Sequence, residues 1–125
     1  MNNKRLKQID LSIVGVIIFI FILIHSIYLL ITEKKKILNI ETISNENLII
    51  QSLINRVIAF FIVLMFFSFA VSNYIDLLET QDEERINNQR VRILVSSFAL
   101  LSVITEIYLT FKELISINDQ KNVQN

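Results

Sequence analysis

Residues 11–32 read LSIVGVIIFIFILIHSIYLLIT and contain no aspartate, glutamate, lysine or arginine. At ~1.5 Å per residue, a helix over this stretch is about 33 Å long, which is enough to cross the roughly 30 Å hydrocarbon core of a bilayer. Residues 57–75 form a second uncharged run, and as a helix it is about 28 Å long. Both runs therefore predict transmembrane helices.

The third hydrophobic segment crosses a membrane only if a carboxylate enters with it. The uncharged residues between Arg92 and Glu106 span about 20 Å as a helix, so the helix must continue through Glu106 to Phe111. A carboxyl group at that depth is costly in lipid and faces protein or water instead. Glu106 is therefore the first candidate functional residue.

The composition excludes several classes of protein. The chain has 125 residues, is formally neutral and 53% hydrophobic, and contains neither Cys nor Pro. Without Cys there is no disulfide, no CxxCH haem attachment and no thiol chemistry. No P-loop, HExxH or GxSxG motif occurs, and a single His does not supply the ligands of a zinc site. We expect no enzymatic activity, no cofactor, no metal and no nucleic-acid partner.

These observations predict an all-α membrane protein with a single domain over residues 1–125. The three spans are expected at about 9–32, 53–76 and 91–112, in an antiparallel up-down-up bundle. Because no proline interrupts the chain, helices two and three are expected to extend as a hairpin beyond the membrane. The frequent Ile, Asn and Lys have AT-rich codons, which favours a low-GC bacterial genome. Together with the three spans, this predicts a multi-pass protein of a bacterial cytoplasmic membrane.

The distribution of basic residues does not predict the orientation. The N-terminal side of the three-span arrangement carries six of the twelve Lys and Arg residues: Lys4, Arg5, Lys7, Arg85, Arg90 and Arg92. The opposite side carries the other six: Lys34, Lys35, Lys36, Arg56, Lys112 and Lys121. Because the positive-inside rule needs an excess on one side, the sequence leaves the orientation open.

Three ionisable residues are expected at one depth of the bundle. Glu106 and His25 each lie about 8–9 Å before the end of their spans on the side opposite the N-terminus. Arg56 opens the second apolar run on the same side. The sequence therefore predicts an intramembrane polar cluster of Glu106, Arg56 and His25.

Helix-packing positions are predicted from small residues. At 100° per residue, one stripe of the third helix carries Arg92, Ala99, Ser102, Glu106, Thr110 and Glu113. Small and hydroxyl-bearing residues allow membrane helices to approach closely, so Ala99 and Ser102 are expected to pack with Glu106 facing inward. On the second helix, Ser68 and Ser72 have small-xxx-small spacing, which favours a contact with the first helix or with another copy.

The role of the polar cluster stays open between several hypotheses. Glu106 and Arg56 form either a structural ion pair or part of a proton or ion site, and a third alternative is that Glu106 extends to the membrane surface. His25 is either a neutral hydrogen-bonded imidazole or a proton relay.

The function expected from the sequence is non-enzymatic helix–helix interaction with another membrane protein, as an accessory subunit, an assembly factor or an immunity-type protein. The alternative is a self-associating holin-like pore, or a small ion or proton channel that uses Glu106. The expected partners are the lipid bilayer and another membrane protein or further copies of this chain.

Overall fold

Three long helices form the chain. The computed structural model describes residues 2–40 and 43–124, in which α1 is Asn2–Ile37, α2 is Asn45–Leu78 and α3 is Glu83–Gln124. No strand occurs in these ranges, and all three helices are long and apolar enough to cross a membrane. An all-α chain with three candidate membrane-spanning helices is thus confirmed.

Each helix continues past the predicted span at both ends. With no proline in the chain, nothing forces a break where the apolar residues stop. Local polar contacts set the ends: the Ser44 hydroxyl accepts a hydrogen bond from the Asn47 N–H at 3.2 Å, which caps the start of α2. The Asp82 carboxylate accepts from the Arg85 N–H at 3.3 Å and does the same for α3.

Helix α2 lies between the other two. It packs against both α1 and α3, whereas no Cα atom of α1 lies within 8 Å of one in α3 across the described residues. Helices α1 and α2 are antiparallel: Lys4 near the start of α1 contacts Asp76 near the end of α2, and His25 later in α1 contacts Asn55 earlier in α2. The bundle is therefore an open row of three helices.

The seam between α1 and α2 has a seven-residue repeat. The buried residues Gln8, Gly15, Ile22 and Leu29 of α1 are spaced by seven, the spacing with which helices keep one face against a neighbour. At Gly15 the approach is close, because a Cβ atom there would lie 2.9 Å from the Met65 methyl carbon. Gly15 thus lets α1 lie directly against α2.

The seam between α2 and α3 uses a different face of α3 from the one expected. The described α3 residues that are half-buried or buried across the span are Ile93, Ser96, Ser97, Leu100, Val103, Ile107 and Thr110. Ala99 and Ser102 are exposed, and of the predicted stripe only Thr110 is buried. The structure therefore does not place Ala99 and Ser102 in the contact with α2. Because lipid tails are as apolar as Leu, hydrophobicity does not distinguish a face against lipid from a face against α2, and phasing alone does not identify the packed face.

The two serines of α2 also differ from each other. Ser72 is half-buried, whereas Ser68 is exposed and donates its hydroxyl proton to the Leu64 carbonyl oxygen at 2.9 Å. That bond satisfies the hydroxyl within its own helix, so Ser68 needs no partner from another helix.

Candidate functional site

Arg56 connects α2 to α3 through two groups. Its Nη2 lies 3.4 Å from Glu106 Oε2, and its Nη1 donates a hydrogen bond to Thr110 Oγ1. Thr110 in turn donates its hydroxyl proton to the Glu106 carbonyl oxygen at 2.7 Å. One turn of α3 therefore supplies both the carboxylate and the hydroxyl that hold the guanidinium group.

This ion pair lies at the surface of the bundle. The Glu106 side chain is 52% exposed and the Arg56 side chain 38%, whereas Thr110 is buried with 2% exposure. In water such a pair would contribute little to stability. In a bilayer the exposed half of the carboxylate needs a further polar neighbour, because lipid tails cannot solvate it.

A second polar cluster connects α1 to α2. His25 Nδ1 lies 2.8 Å from Asn55 Oδ1, and His25 Nε2 lies 3.3 Å from Gln51 Oε1. Asn55 Nδ2 donates to Ser26 Oγ at 3.4 Å. The His25 ring also stacks on Tyr28, with ring centroids 5.9 Å apart. Asn55 is buried, so its hydrogen bonds fix α1 against α2 at this level.

Either charge state of the His25 ring is compatible with these partners. An imidazolium ring donates from both nitrogens, as the two amide oxygens require. A neutral ring donates from Nδ1 to Asn55, and a rotated Gln51 amide then donates to Nε2. The cluster therefore provides hydrogen bonds without specifying a proton relay.

The structure brings the three predicted residues to one level but not into one cluster. Asn55 and Arg56 are neighbours on α2, so the His25 contact and the Glu106 contact lie at the same height. In the part of the chain that the structure describes, no hydrogen bond or ion pair joins His25 to Glu106. Arg56 contacts α3, and its neighbour Asn55 contacts α1.

Sequence reasoning missed the two amide residues of α2. Gln51 and Asn55 are four residues apart, which places both amides on one helix face toward His25. That spacing of amides beside an intramembrane His was the available signal. Gln89, which donates to the Ala70 carbonyl oxygen at 2.9 Å, was also missed, and its burial at 5% exposure shows only in the structure.

A polar groove lies beside the Arg56–Glu106 pair. Its volume is about 560 Å³, and all three helices contribute to it. The described lining residues are Glu33, Asn45, Leu48, Ile49, Ser52, Arg56, Glu106, Leu109, Thr110, Glu113, Ser116 and Ile117. Three carboxylates and one guanidinium group give it an acidic character.

Further charged contacts join the helix ends. Lys4 Nζ lies 2.9 Å from Asp76 Oδ2, and Lys121 pairs with Glu46 at the other end of α2. All four side chains are partly or largely exposed, so each pair contributes little on its own. They mark the register of the helices: the start of α1 lies beside the end of α2, and the end of α3 lies beside the start of α2.

No group of three His, Cys, Asp or Glu residues that could hold a metal ion occurs within residues 2–40 and 43–124. Comparisons with family models, with curated proteins and with solved structures find no match to this chain.

Proposed function

We propose that this chain is a non-enzymatic membrane protein that acts through helix–helix interaction with another membrane protein. The roles that fit are those of an accessory subunit, an assembly factor or an immunity-type protein. The supporting observation is the uncovered polar face of α3, and we call its exposed residues the α3 stripe: Arg92, Ala99, Ser102, Glu106 and Glu113.

The physical argument concerns what covers this stripe in a bilayer. Ala99, Ser102 and Glu106 fall within the predicted span 91–112; α2 leaves Ala99 and Ser102 exposed and covers only part of Glu106. A carboxylate facing lipid is costly, whereas a hydroxyl and a small side chain suit a second helix at close range. The stripe therefore fits a helix-pairing surface better than a lipid-facing one.

The proposal includes an arrangement in the membrane. The helices would cross in an up-down-up order, with the α2–α3 hairpin tip extending beyond the bilayer. The location would be a bacterial cytoplasmic membrane. The length of the helices beyond their apolar segments supports the extension, since Leu78 and Glu83 lie beyond the predicted spans.

Site-specific photo-crosslinking in intact membranes tests the proposed function. A photoreactive residue at Ser102 should form an adduct with another membrane protein. The same residue at Leu101 is the matched control, because Leu101 is 59% exposed and points about 100° away from the stripe. Adducts at Ser102 with further copies of this chain alone, an absence of adducts, or equal adducts at both positions would contradict the proposed function.

The second candidate function is a self-associating holin-like pore or a small ion or proton channel. The observation that favours it is the acidic groove, in which Glu33, Glu106 and Glu113 line one open space. Conductance measurements test it with Glu106→Gln and Glu106→Ala. Loss of conductance in both variants would support a channel, and unchanged conductance would exclude this use of Glu106.

A further inference from the structure

The charges along the exposed face of α3 follow an ordered pattern. Arg85, Arg92, Ala99, Glu106 and Glu113 are spaced by seven residues, and all five are exposed. A straight helix drifts only ~20° per heptad, so the row stays within about 40° of the direction of Ala99. Two cations precede the small residue and two anions follow it, so the row reverses its sign about Ala99.

This order makes α3 complementary to an inverted copy of itself. Side by side in the same orientation, two α3 helices would place Arg92 beside Arg92 and Glu106 beside Glu106. With one helix inverted about Ala99, Arg92 lies level with Glu106 of the other copy, and Arg85 lies level with Glu113. Like charges in contact cost free energy and opposite charges attract, so only the inverted pair is favourable.

We propose that α3 of a second copy, inserted in the opposite orientation, covers the α3 stripe. The interface is a two-fold one in which each Arg92 meets the Glu106 of the other copy. This inference rests on the proposed function, in which the stripe is a helix-pairing surface. It names the helix that covers the stripe while no other membrane protein is bound.

The pairing sets the depths of the charges, because an inverted pair is symmetric only if Ala99, about 4 Å from the middle of the predicted span 91–112, lies at the bilayer centre. With Ala99 at the bilayer centre, Arg92 and Glu106 lie about 10 Å from the centre, inside the hydrocarbon half-thickness of about 15 Å. Arg85 and Glu113 lie about 21 Å from the centre, in the headgroup region. The inner pairs are therefore buried where attraction between charges is strongest, and the outer pairs are solvated.

The charged groups needed for this interface are available in the single chain. Within the described residues, Arg85, Arg92 and Glu113 form no side-chain ion pair. Glu106 is paired with Arg56 and is still half exposed. Its carboxylate can therefore accept Arg56 from its own chain and Arg92 from the second copy at once.

The basic residues also leave both orientations open. The two sides of the three-span arrangement carry six Lys and Arg residues each, so no excess directs insertion. Copies of both orientations are then expected in one membrane, which is the condition for an inverted pair.

Cysteine crosslinking tests the pairing, and the chain has no Cys to remove. Two differently tagged full-length copies are expressed together, one with Val95→Cys and one with Ser102→Cys, because in the inverted pair these positions lie within about 2 Å of the same level. Both residues are exposed. The mixed disulfide should exceed either same-position disulfide about ten-fold, as like positions are about 9–12 Å apart in level.

A parallel pair gives the reverse result, with disulfides between like positions. The matched control is the pair Leu94→Cys and Leu101→Cys, which has the same seven-residue separation on the far side of α3. Both of these residues are more than half exposed. Disulfides between like positions, or equal yields for the stripe and the control pairs, would overturn the inference.

Charge reversal at Arg92 provides a second readout. Arg92→Glu would place two carboxylates together and should lower the mixed disulfide about ten-fold, whereas Arg92→Lys should retain it. Arg92 has no ion pair within the described chain, so neither change removes an intramolecular pair. Arg92→Glu is made together with Asn3→Lys, which keeps six basic residues on the N-terminal side. Equal yields for Arg92→Glu and Arg92→Lys would contradict the charge pairing.

Orientation variants separate inversion from simple association. Asn2→Lys with Asn3→Lys adds charge to one side, and Asn118→Lys with Asn122→Lys adds it to the other; all four residues are exposed. Either variant alone should lose the mixed disulfide, and co-expression of both should restore it. A disulfide that persists in each variant alone would show that both copies share one orientation.

These outcomes are distinguishable from failure of the proposed function. If the mixed disulfide is absent while Ser102 still photo-crosslinks to a different membrane protein, the inverted pair is wrong and the proposed function stands. If Ser102 yields no protein adduct of any kind, both fail.

Discussion

Arg56 Nη2 lies 3.4 Å from Glu106 Oε2, and half of the Glu106 side chain remains exposed beside that contact. The pair therefore does two things at the same position. It joins α2 to α3, and it presents a partly neutralised carboxylate to whatever lies next to α3 in the membrane. Because lipid cannot solvate that carboxylate, the intramolecular pair by itself is an incomplete environment for Glu106.

Removing Arg56 alone should lower the free energy of unfolding more than removing Arg56 and Glu106 together. Arg56→Ala leaves the Glu106 carboxylate without its counterion, whereas Arg56→Ala with Glu106→Ala removes the charge as well. Polar pairs between membrane helices typically contribute ~0.6 kcal/mol, up to about 1.7, so a coupling of that size is expected. Reversible unfolding in detergent micelles measures it through a double-mutant cycle.

The exposed pair Lys4–Asp76, at 2.9 Å, is the control for this cycle. It lies at the helix ends, where water screens it, so its coupling should be close to zero. Strictly additive losses at Arg56 and Glu106 would mean that the two side chains do not interact in the folded protein.

The hydroxyl group of Thr110 should contribute to the stability of the contact between α2 and α3. Thr110→Val keeps the shape but removes the hydroxyl that accepts from Arg56, and it should destabilise the α2–α3 contact by about 1 kcal/mol. Thr105→Val is the matched control, since the Thr105 hydroxyl is exposed and donates only to Leu101 in its own helix. Equal unfolding free energies for the two variants would argue against a role for Thr110.

Gly15 should tolerate one carbon atom but not a branched side chain. The Cβ of Gly15→Ala would meet the Met65 methyl carbon at 2.9 Å, and that flexible side chain can move, so a change below about 1 kcal/mol is expected. Gly15→Ile would force α1 away from α2 and should cost about 1–3 kcal/mol.

The control for Gly15 is Val16→Ile, which enlarges an exposed neighbour that lies off the seam. It should leave the unfolding free energy within about 0.5 kcal/mol of the original. If Gly15→Ile is equally harmless, α1 does not pack through Gly15.

Asn55 should hold α1 through His25. Asn55→Leu removes the acceptor of His25 Nδ1 and the donor to Ser26, so a loss of about 1–3 kcal/mol is expected. Adding His25→Leu removes the ring nitrogen Nδ1 that has lost its partner and should recover part of that loss. A double variant less stable than Asn55→Leu alone would contradict this hydrogen bond.

Three crossings require the two ends of each molecule to lie on opposite sides of the membrane. In a chain tagged at both termini, a protease added to sealed vesicles should remove one tag from every molecule and leave the other. This holds for either orientation. If molecules lose both tags or neither, one of the three helices does not cross the membrane. The simplest candidate is α3, whose span contains Glu106.

Hydrophobic length identified the helices well because it is a local property. Residues 11–32 and 57–75 require no knowledge of their neighbours to be assigned as spans. The contact between Arg56 and Glu106 was also expected, since residue counting gives depth and opposite charges at one depth attract. Gln51 and Asn55 lay outside the prediction because their amides are uncharged, and the predicted cluster contained only ionisable residues.

The face of α3 that packs on α2 differs from the one that the sequence reasoning favoured. Phasing grouped Ala99 and Ser102 with Glu106 as the inward face, yet the structure buries the neighbouring line that includes Leu100 and Val103. Between lipid and protein there is no contrast in polarity to mark an inward face, unlike the contrast between water and a soluble core.

The sequence by itself determined the helical class, the three candidate spans and the common level of Glu106, Arg56 and His25, because each depends on counting along one helix. Only the tertiary structure decided that α2 lies between α1 and α3, that Asn55 contacts α1 whereas Arg56 contacts α3, and that Ala99 and Ser102 stay exposed. Those features depend on how side chains from different helices fit together, and shape complementarity is not recorded in the hydropathy of any single helix.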